Sequence, residues 1–299
     1  MNLSLRPLFG ALAVGWTLLS PALLPTAGWA ETKPVVAASI APLFDWAKTL
    51  AGERAQVVLV VPPGASPHAF EPRPSEVRLL ARARVFFANG LGLEGWAEKL
   101  VQAANPAVRV VRLAEGLGPQ GTAEGAPNPH LWLDPVRAQS MVRRMAAALA
   151  EVDPEGAADY RSRAEGYLQK LRQLDREFRV ATSRFPARRA ATFHDAFRYL
   201  FGRYGLEVAA VLEPFPGKVP TPSLLKEVVR KLRALRVRVI FAEPQLSPAA
   251  AEAVAREVEG AVETLDPLGG PGVPGRESYL ELMRFNLAQL RRALGPGSP

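Results

Sequence analysis

The sequence contains no cysteine. Disulfide bonds and thiolate metal ligands are therefore excluded, and so is a lipid-modified cysteine at the start of a mature chain. Any zinc-type site in this protein has to be built from imidazole and oxygen ligands. Histidine is also scarce, with three copies in 299 residues, so the setting of each one is informative.

Strong bias is missing from both the charge and the hydropathy. Charged residues make up 22% of the chain and hydrophobic residues 48%, which argues against a disordered chain and against a polytopic membrane protein. The net charge of +8 comes from arginines scattered along predicted helices, without a basic cluster interleaved with aromatic residues. We therefore expect a soluble, folded protein that does not bind nucleic acid.

The first thirty residues have the pattern of a secretion signal. Arg6 precedes an apolar stretch at residues 8–24, and the small residues Gly28 and Ala30 precede Glu31. A permanent anchor needs about 20 uninterrupted apolar residues, whereas glycines and prolines interrupt this stretch. We expect cleavage after Ala30 and export to the periplasm without a lipid tether.

Short β-branched runs alternate with helical patterns along the rest of the chain. This alternation is typical of βαβ units, whose strands form a mostly parallel sheet. It occurs in two series separated by a segment rich in helix formers, which at about 1.5 Å per residue would run about 45 Å. We therefore predict an α/β fold with two lobes joined by one long connecting helix. The predicted divisions are a signal peptide at 1–30, an N-terminal lobe at 31–152, the connecting helix at 153–184 and a C-terminal lobe at 185–299.

The three histidines, His68, His130 and His194, lie at loop junctions after predicted strands. In open α/β sheets, ligands bind in the crevice outside the carboxyl ends of the strands. Neutral imidazole is a common zinc ligand, and prolines beside His68 and His130 stiffen the flanking chain. One isolated histidine of this kind is more often a capped or buried residue with its own hydrogen bonds. Because all three histidines are predicted to lie after strands, we favour a metal site.

A closed zinc site needs a fourth ligand. Asp266 and Glu243 both follow predicted strands of the second series, and spacing alone does not distinguish between them. The same residues are also compatible with an enzyme. A zinc hydrolase would keep three protein ligands and a water, with Glu243 as the general base. A third functional class is a binding protein for an organic or chelated ligand, or an adhesin.

Five motifs in a fixed order carry a resemblance to a known family. They are GASPHAFEP (64–72), NGLGLEGW (89–96), HLWLDP (130–135), TFHDAF (192–197) and LDPLG (265–269). Together they cover nearly all of the mature chain and resemble the zinc/manganese substrate-binding proteins of ABC importers. The resemblance implies two α/β lobes joined by one long helix, with the metal in the cleft between them.

By motif position, the resemblance implies that the ligands are His68, His130, His194 and Asp266. Glu243 then becomes a cleft residue behind the ligands. Asp195, next to a ligand, is a candidate either to orient an imidazole or to cap the following helix.

The resemblance also implies a function. We expect a monomer, not an enzyme, that captures one divalent ion and delivers it to the membrane permease of an ABC importer. Three imidazoles and one carboxylate favour Zn²⁺, with Mn²⁺ or mixed capture as the alternative. Zinc-specific members often carry a loop rich in histidine and acids between the first two ligand motifs. The matching segment here, 115–128, has no histidine, so no auxiliary metal-gathering role is expected for it.

Overall fold

The structure is a computed structural model that describes Met1 and residues 33–118, 127–214 and 219–297. The predicted signal peptide, apart from Met1, lies outside the described residues. The described residues from Lys33 onward form one compact unit. Within the described ranges, no helix combines the length and the hydropathy that a membrane span requires.

The N-terminal lobe is built on a four-stranded parallel sheet with strand order β2-β1-β3-β4. In chain order, its elements are β1 (Val35–Ala38), α1 (Ala41–Ala51), β2 (Gln56–Leu59), α2 (Pro74–Ala81), β3 (Ala83–Ala88), α3 (Ala97–Ala104) and β4 (Arg109–Arg112). The central strand β1 is buried throughout, whereas the edge strands β2 and β4 are partly exposed. This is the burial expected of a parallel sheet covered by helices on both faces.

Two long helices follow and pack against each other. The first is α4 (Pro135–Val152), which starts with Asp134 as its N-cap: the Asp134 carboxylate accepts a hydrogen bond from the backbone N–H of Val136. After a short turn, α5 (Ala157–Thr182) leads to the second lobe. Its buried face repeats every three to four residues, as in an amphipathic helix. The buried side chains include Tyr160, Ala164, Leu168, Leu171, Leu174, Phe178 and Ala181.

The C-terminal lobe repeats the design, with a parallel sheet in the order β6-β5-β7-β8. Its elements are β5 (Arg189–Thr192), α6 (Arg198–Arg203), β6 (Glu207–Val211), α7 (Pro222–Leu235), β7 (Val239–Ala242), α8 (Ala249–Glu257), β8 (Ala261–Thr264) and α9 (Tyr279–Leu294). Two lobes with parallel sheets and a long helix between them confirm the predicted fold.

The largest hydrophobic core is shared by the two lobes. It contains Phe87 from β3, Phe178 from α5, Phe241 from β7 and Leu287 from α9. Two smaller clusters cover the remaining face of each sheet. Because one core includes residues from both sheets, burial of apolar surface holds the lobes together as well as stabilising each one.

Candidate metal site

The three histidines lie together, but they differ in how far each one is from the end of a strand. His194 lies two residues after the end of β5, as expected for a residue at a strand end. His68 and His130 instead lie nine and eighteen residues after the ends of β2 and β4. The expectation that each histidine emerges directly from a strand is therefore met by His194 alone, and long loops carry the other two to the cleft.

The imidazoles converge through their Nε2 atoms. The distance from His130 Nε2 is 3.1 Å to His68 Nε2 and 3.1 Å to His194 Nε2. One ligand atom from each of the three side chains lies within 4.8 Å of the others, so this group could hold a metal ion. His130 and His194 are buried, and His68 is partly exposed. The structure thus brings together all three histidines that the sequence singles out.

The far nitrogens of two rings are fixed by hydrogen bonds. His130 Nδ1 donates to Asn128 Oδ1 at 2.9 Å, and His194 Nδ1 donates to Glu243 Oε1 at 2.5 Å. A proton on Nδ1 leaves the Nε2 lone pair free, which is the arrangement found around metal-binding histidines. Two such lone pairs 3.1 Å apart repel each other unless a proton or a cation lies between them. The donor set therefore fits a cation.

Asn128 is a site residue that the sequence reasoning missed. Its side chain accepts from both the ring and the backbone N–H of His130, and it donates to the Asp195 carbonyl at 2.6 Å. The Asn128-Pro129-His130 order was the available signal, since a short polar side chain two residues before a histidine can bond back to it.

Burial and charge give the histidines different proton affinities. Burial, and then the neighbouring His194, lower the pKa of His68 to about 3. Burial also lowers the pKa of His130 well below its usual range. At His194, burial is outweighed by the Glu243 carboxylate, which favours the charged imidazolium, and the pKa is raised. At neutral pH, His68 and His130 are therefore neutral and ready to bind a metal.

The segment that carries His130 is held to the C-terminal lobe on both sides of the histidine. Before it, the Tyr199 hydroxyl donates to the Asn128 carbonyl at 2.7 Å. After it, Trp132 Nε1 donates to the Pro267 carbonyl at 2.7 Å, and the Tyr279 hydroxyl donates to the Trp132 carbonyl at 2.7 Å. Although His130 precedes the connecting helix, its position depends on both lobes.

Two cavities adjoin the histidines. The smaller one, of about 20 Å³, is lined by the three imidazoles together with Glu243 and Gln245. That volume suits a single water molecule or ion. The larger one, of about 620 Å³, lies between the lobes and is also lined by the histidines, as well as by Asp195.

Asp266, the predicted fourth ligand, is not part of the histidine cluster among the described residues. Its Oδ2 forms an ion pair with Arg276 at 2.8 Å. Its Oδ1 accepts three hydrogen bonds, from the Gln245 side chain and from the backbone N–H groups of Leu268 and Gly269. In this conformation, the carboxylate organises the loop after β8.

The two remaining predicted residues lie close to the cluster. Glu243 contacts His194 as described above, in a position behind the ligands. Asp195 contacts no imidazole through its side chain: its Oδ2 forms an ion pair with Arg198 at 2.8 Å, and its carbonyl accepts from Asn128. The helix start that follows shows no side-chain cap in the described structure, so both roles considered for Asp195 stay predictions.

The comparison with protein families bears on the classes of protein that the sequence left open. The family model described as zinc-uptake complex component A, periplasmic, matches residues 36–293. The chain belongs to this family. Members of the family are substrate-binding proteins that work with the permeases of ABC importers, and they are not enzymes.

Relatives of the family bind different metals, according to their names. The manganese-binding lipoprotein MntA of Halalkalibacterium halodurans is 31% identical over 84% of this chain and 85% of its own. The high-affinity zinc uptake system protein ZnuA of Bacillus subtilis is 27% identical over 85% of each chain. A crystal structure of a zinc-bound ZnuA deletion mutant is 25% identical, with a TM-score of 0.81 over 89% of this chain and 100% of that one. Because the names of the relatives include lipoproteins and periplasmic proteins, they point to a location outside the cytoplasm.

Proposed function

We propose that this protein captures one Zn²⁺ ion in the periplasm and delivers it to the membrane permease of an ABC importer. The observation that carries the proposal is the convergence of three Nε2 atoms, two of them on rings whose Nδ1 atoms are held by Asn128 and Glu243. The chain acts as a monomer, without enzymatic activity and without binding nucleic acid. It is exported by the signal at residues 1–30.

The proposed domain division follows the sequence: an N-terminal lobe at 31–152, the connecting helix at 153–184 and a C-terminal lobe at 185–299. His68 and His130 belong to the first lobe and His194 to the second. Metal binding therefore adds a link across the cleft. The role of Asp266 as fourth ligand stays a prediction. To bind the metal, its carboxylate would have to give up its bonds to Arg276 and to the loop after β8.

Zinc is proposed over manganese because imidazole is a nitrogen donor suited to zinc, whereas manganese favours oxygen donors and higher coordination numbers. Manganese capture is the second candidate, supported by the similarity to the manganese-binding lipoprotein. Zinc capture and manganese capture differ in how many oxygen ligands the ion needs. The three imidazoles supply only nitrogen ligands, which favours zinc.

Competition between the two metals tests the proposal. Metal-free protein is equilibrated with zinc and manganese buffered to equal free concentrations, separated from free metal and analysed for its metal content. We expect close to one zinc per chain and little manganese, and His130→Ala should hold neither. Manganese in the site would move the function to the second candidate, and an empty site in the parent protein would overturn metal capture.

A further inference from the structure

The β3–α3 loop (residues 89–96) is bonded to the segment that carries His130. Asn89 Nδ2 donates to the Pro129 carbonyl at 2.9 Å and to the Gly90 carbonyl at 3.0 Å. Carbonyl oxygens only accept hydrogen bonds, so the NH₂ end of the Asn89 amide must face them. Asn89 is fully buried, and losing a hydrogen bond there leaves a buried carbonyl unsatisfied. The carbonyl directly before His130 is thus fixed to this loop.

The other end of the same loop contacts the segment that carries His68. Trp96 Nε1 donates to the Pro67 carbonyl at 3.2 Å. The Trp96 ring also packs edge-on against Phe70, with ring centroids 5.1 Å apart and an angle of 71° between the planes. Pro67 and Phe70 lie on either side of His68 in the chain. One aromatic side chain therefore holds the backbone both before and after this histidine.

Glu94 holds the β3–α3 loop in shape from inside. The turn is tight, because Gly90 and Leu91 have φ angles of 86° and 56°, and the left-handed region is unfavourable for leucine. The Glu94 carboxylate accepts hydrogen bonds from the backbone N–H groups of Asn89 at 2.8 Å and Gly90 at 3.0 Å. The Ser39 hydroxyl donates to the same carboxylate at 2.6 Å. Since Ser39 follows β1 directly, the loop is tied to the centre of the sheet.

We propose that the β3–α3 loop positions two histidines of the metal site at once, with Asn89 and Trp96 as positioning residues for His130 and His68. The loop adds no ligand to the metal. It holds the backbone of both histidines near the binding position before the ion arrives, so less ordering is needed on binding. This inference rests on the proposed function, because it takes the histidines to bind zinc.

Zinc affinity of the full-length protein, measured by competition with a chelator, tests the proposal. Asn89→Leu removes the amide donor at similar size, and Trp96→Phe removes the N–H while keeping an aromatic ring. We expect each variant to bind zinc about three- to tenfold more weakly, the contribution of one hydrogen bond. The two bonds act on different histidines and share no partner, so the double variant should show the product of the two effects.

Asn105→Leu is the matched control. Asn105 Nδ2 also donates to two backbone carbonyls of the N-terminal lobe, those of Ala81 and Ala83, at 3.2 and 3.0 Å. Asn105 is not among the described residues that line the two cavities beside the histidines. The control variant should bind zinc like the parent protein.

Hydrogen exchange of the metal-free protein separates positioning from a general loss of stability. We expect faster exchange at 128–133 in Asn89→Leu and at 64–72 in Trp96→Phe, with the sheets exchanging as in the parent. Asn89→Ala, which adds no bulk, serves if the leucine variant folds poorly, as judged by the melting temperature of the metal-free protein.

Parent-like zinc affinity in the variants of both residues would overturn the proposal, and so would faster exchange throughout the lobe. A parent protein that binds no zinc would instead be a failure of the proposed function. The exchange measurement needs no metal, so it would still report whether the β3–α3 loop holds both segments.

Discussion

At the scale of single residues, the hydrogen bond from His194 to Glu243 is the contact most open to a direct test. Glu243→Ala removes the acceptor that keeps the proton on Nδ1, so Nε2 is no longer fixed as the free nitrogen. We expect zinc affinity to fall by about 10- to 100-fold. Chelator competition measures the loss. His194→Ala, which removes a ligand, should cost more, and an equal or smaller effect would show that His194 is not bound to the metal.

The unequal pKa values of the histidines predict how binding depends on pH. His68 and His130 are neutral well below pH 6.5, because their pKa values are lowered, and so protons do not compete with metal there. His194 has a raised pKa, so as the pH falls below that value it gains a proton that zinc must displace. We expect affinity to fall by about tenfold per pH unit between roughly pH 5 and 6.5, the response of a single proton. Chelator competition across this range gives the slope. A slope of three would mean that all three rings are protonated together.

The sequence did not predict which neighbouring residues hold the ligand side chains in place. The motif order predicted the three histidines and Glu243 as residues of one cleft, since local pattern and strand ends are visible in a sequence. The partners of a ring depend on side-chain directions across the cleft. For that reason Asn128 was missed, and the contacts of Asp266 with Arg276 and Gln245 could not be anticipated.

At the scale of elements, α9 offers a test of a local sequence signal. Ser278 and Glu281 form a reciprocal capping box, in which each side chain accepts a hydrogen bond from the backbone of the other. Ser278→Ala should destabilise the protein by about 1 kcal/mol, which lowers the melting temperature by about 2–4 °C. Thermal unfolding measures it. Ser183→Ala, after the end of α5, is the control and should leave the melting temperature nearly unchanged.

The sequence predicted the types of secondary-structure element better than it predicted how those elements pack together. Alternating β-branched runs predicted two series of strands in mostly parallel sheets, because period and composition are local properties. The pair formed by α4 and α5 was not foreseen, because the sequence pattern predicted the connecting helix alone. Packing between two helices depends on which faces meet, and one sequence does not reveal that.

At the scale of the whole molecule, zinc should stabilise the folded state. The ligands come from loops that meet only when both lobes are folded, so zinc binds the native protein and not the unfolded chain. At a zinc concentration 100 times the dissociation constant, the stabilisation is about 2.7 kcal/mol, or about 5–10 °C in melting temperature. Differential scanning calorimetry with and without zinc checks this. His130→Ala should melt at one temperature in both conditions, and an unchanged melting temperature in the parent would contradict metal capture.

The core shared by both lobes has a consequence for recombination between members of this family. A crossover within α5 would place the α1 side chains of one parent against the α9 side chains of the other, as at the contact between Trp46 and Tyr279. Between relatives about as distant as the 31% identical one, many of these packed pairs would no longer match, and misfit in a close-packed interior is costly. Exchange of the loop at 60–73 would leave that core intact while bringing in a different neighbourhood for His68. Metal preference in such proteins can therefore diverge by exchanging loops, whereas the halves of the chain must be inherited together.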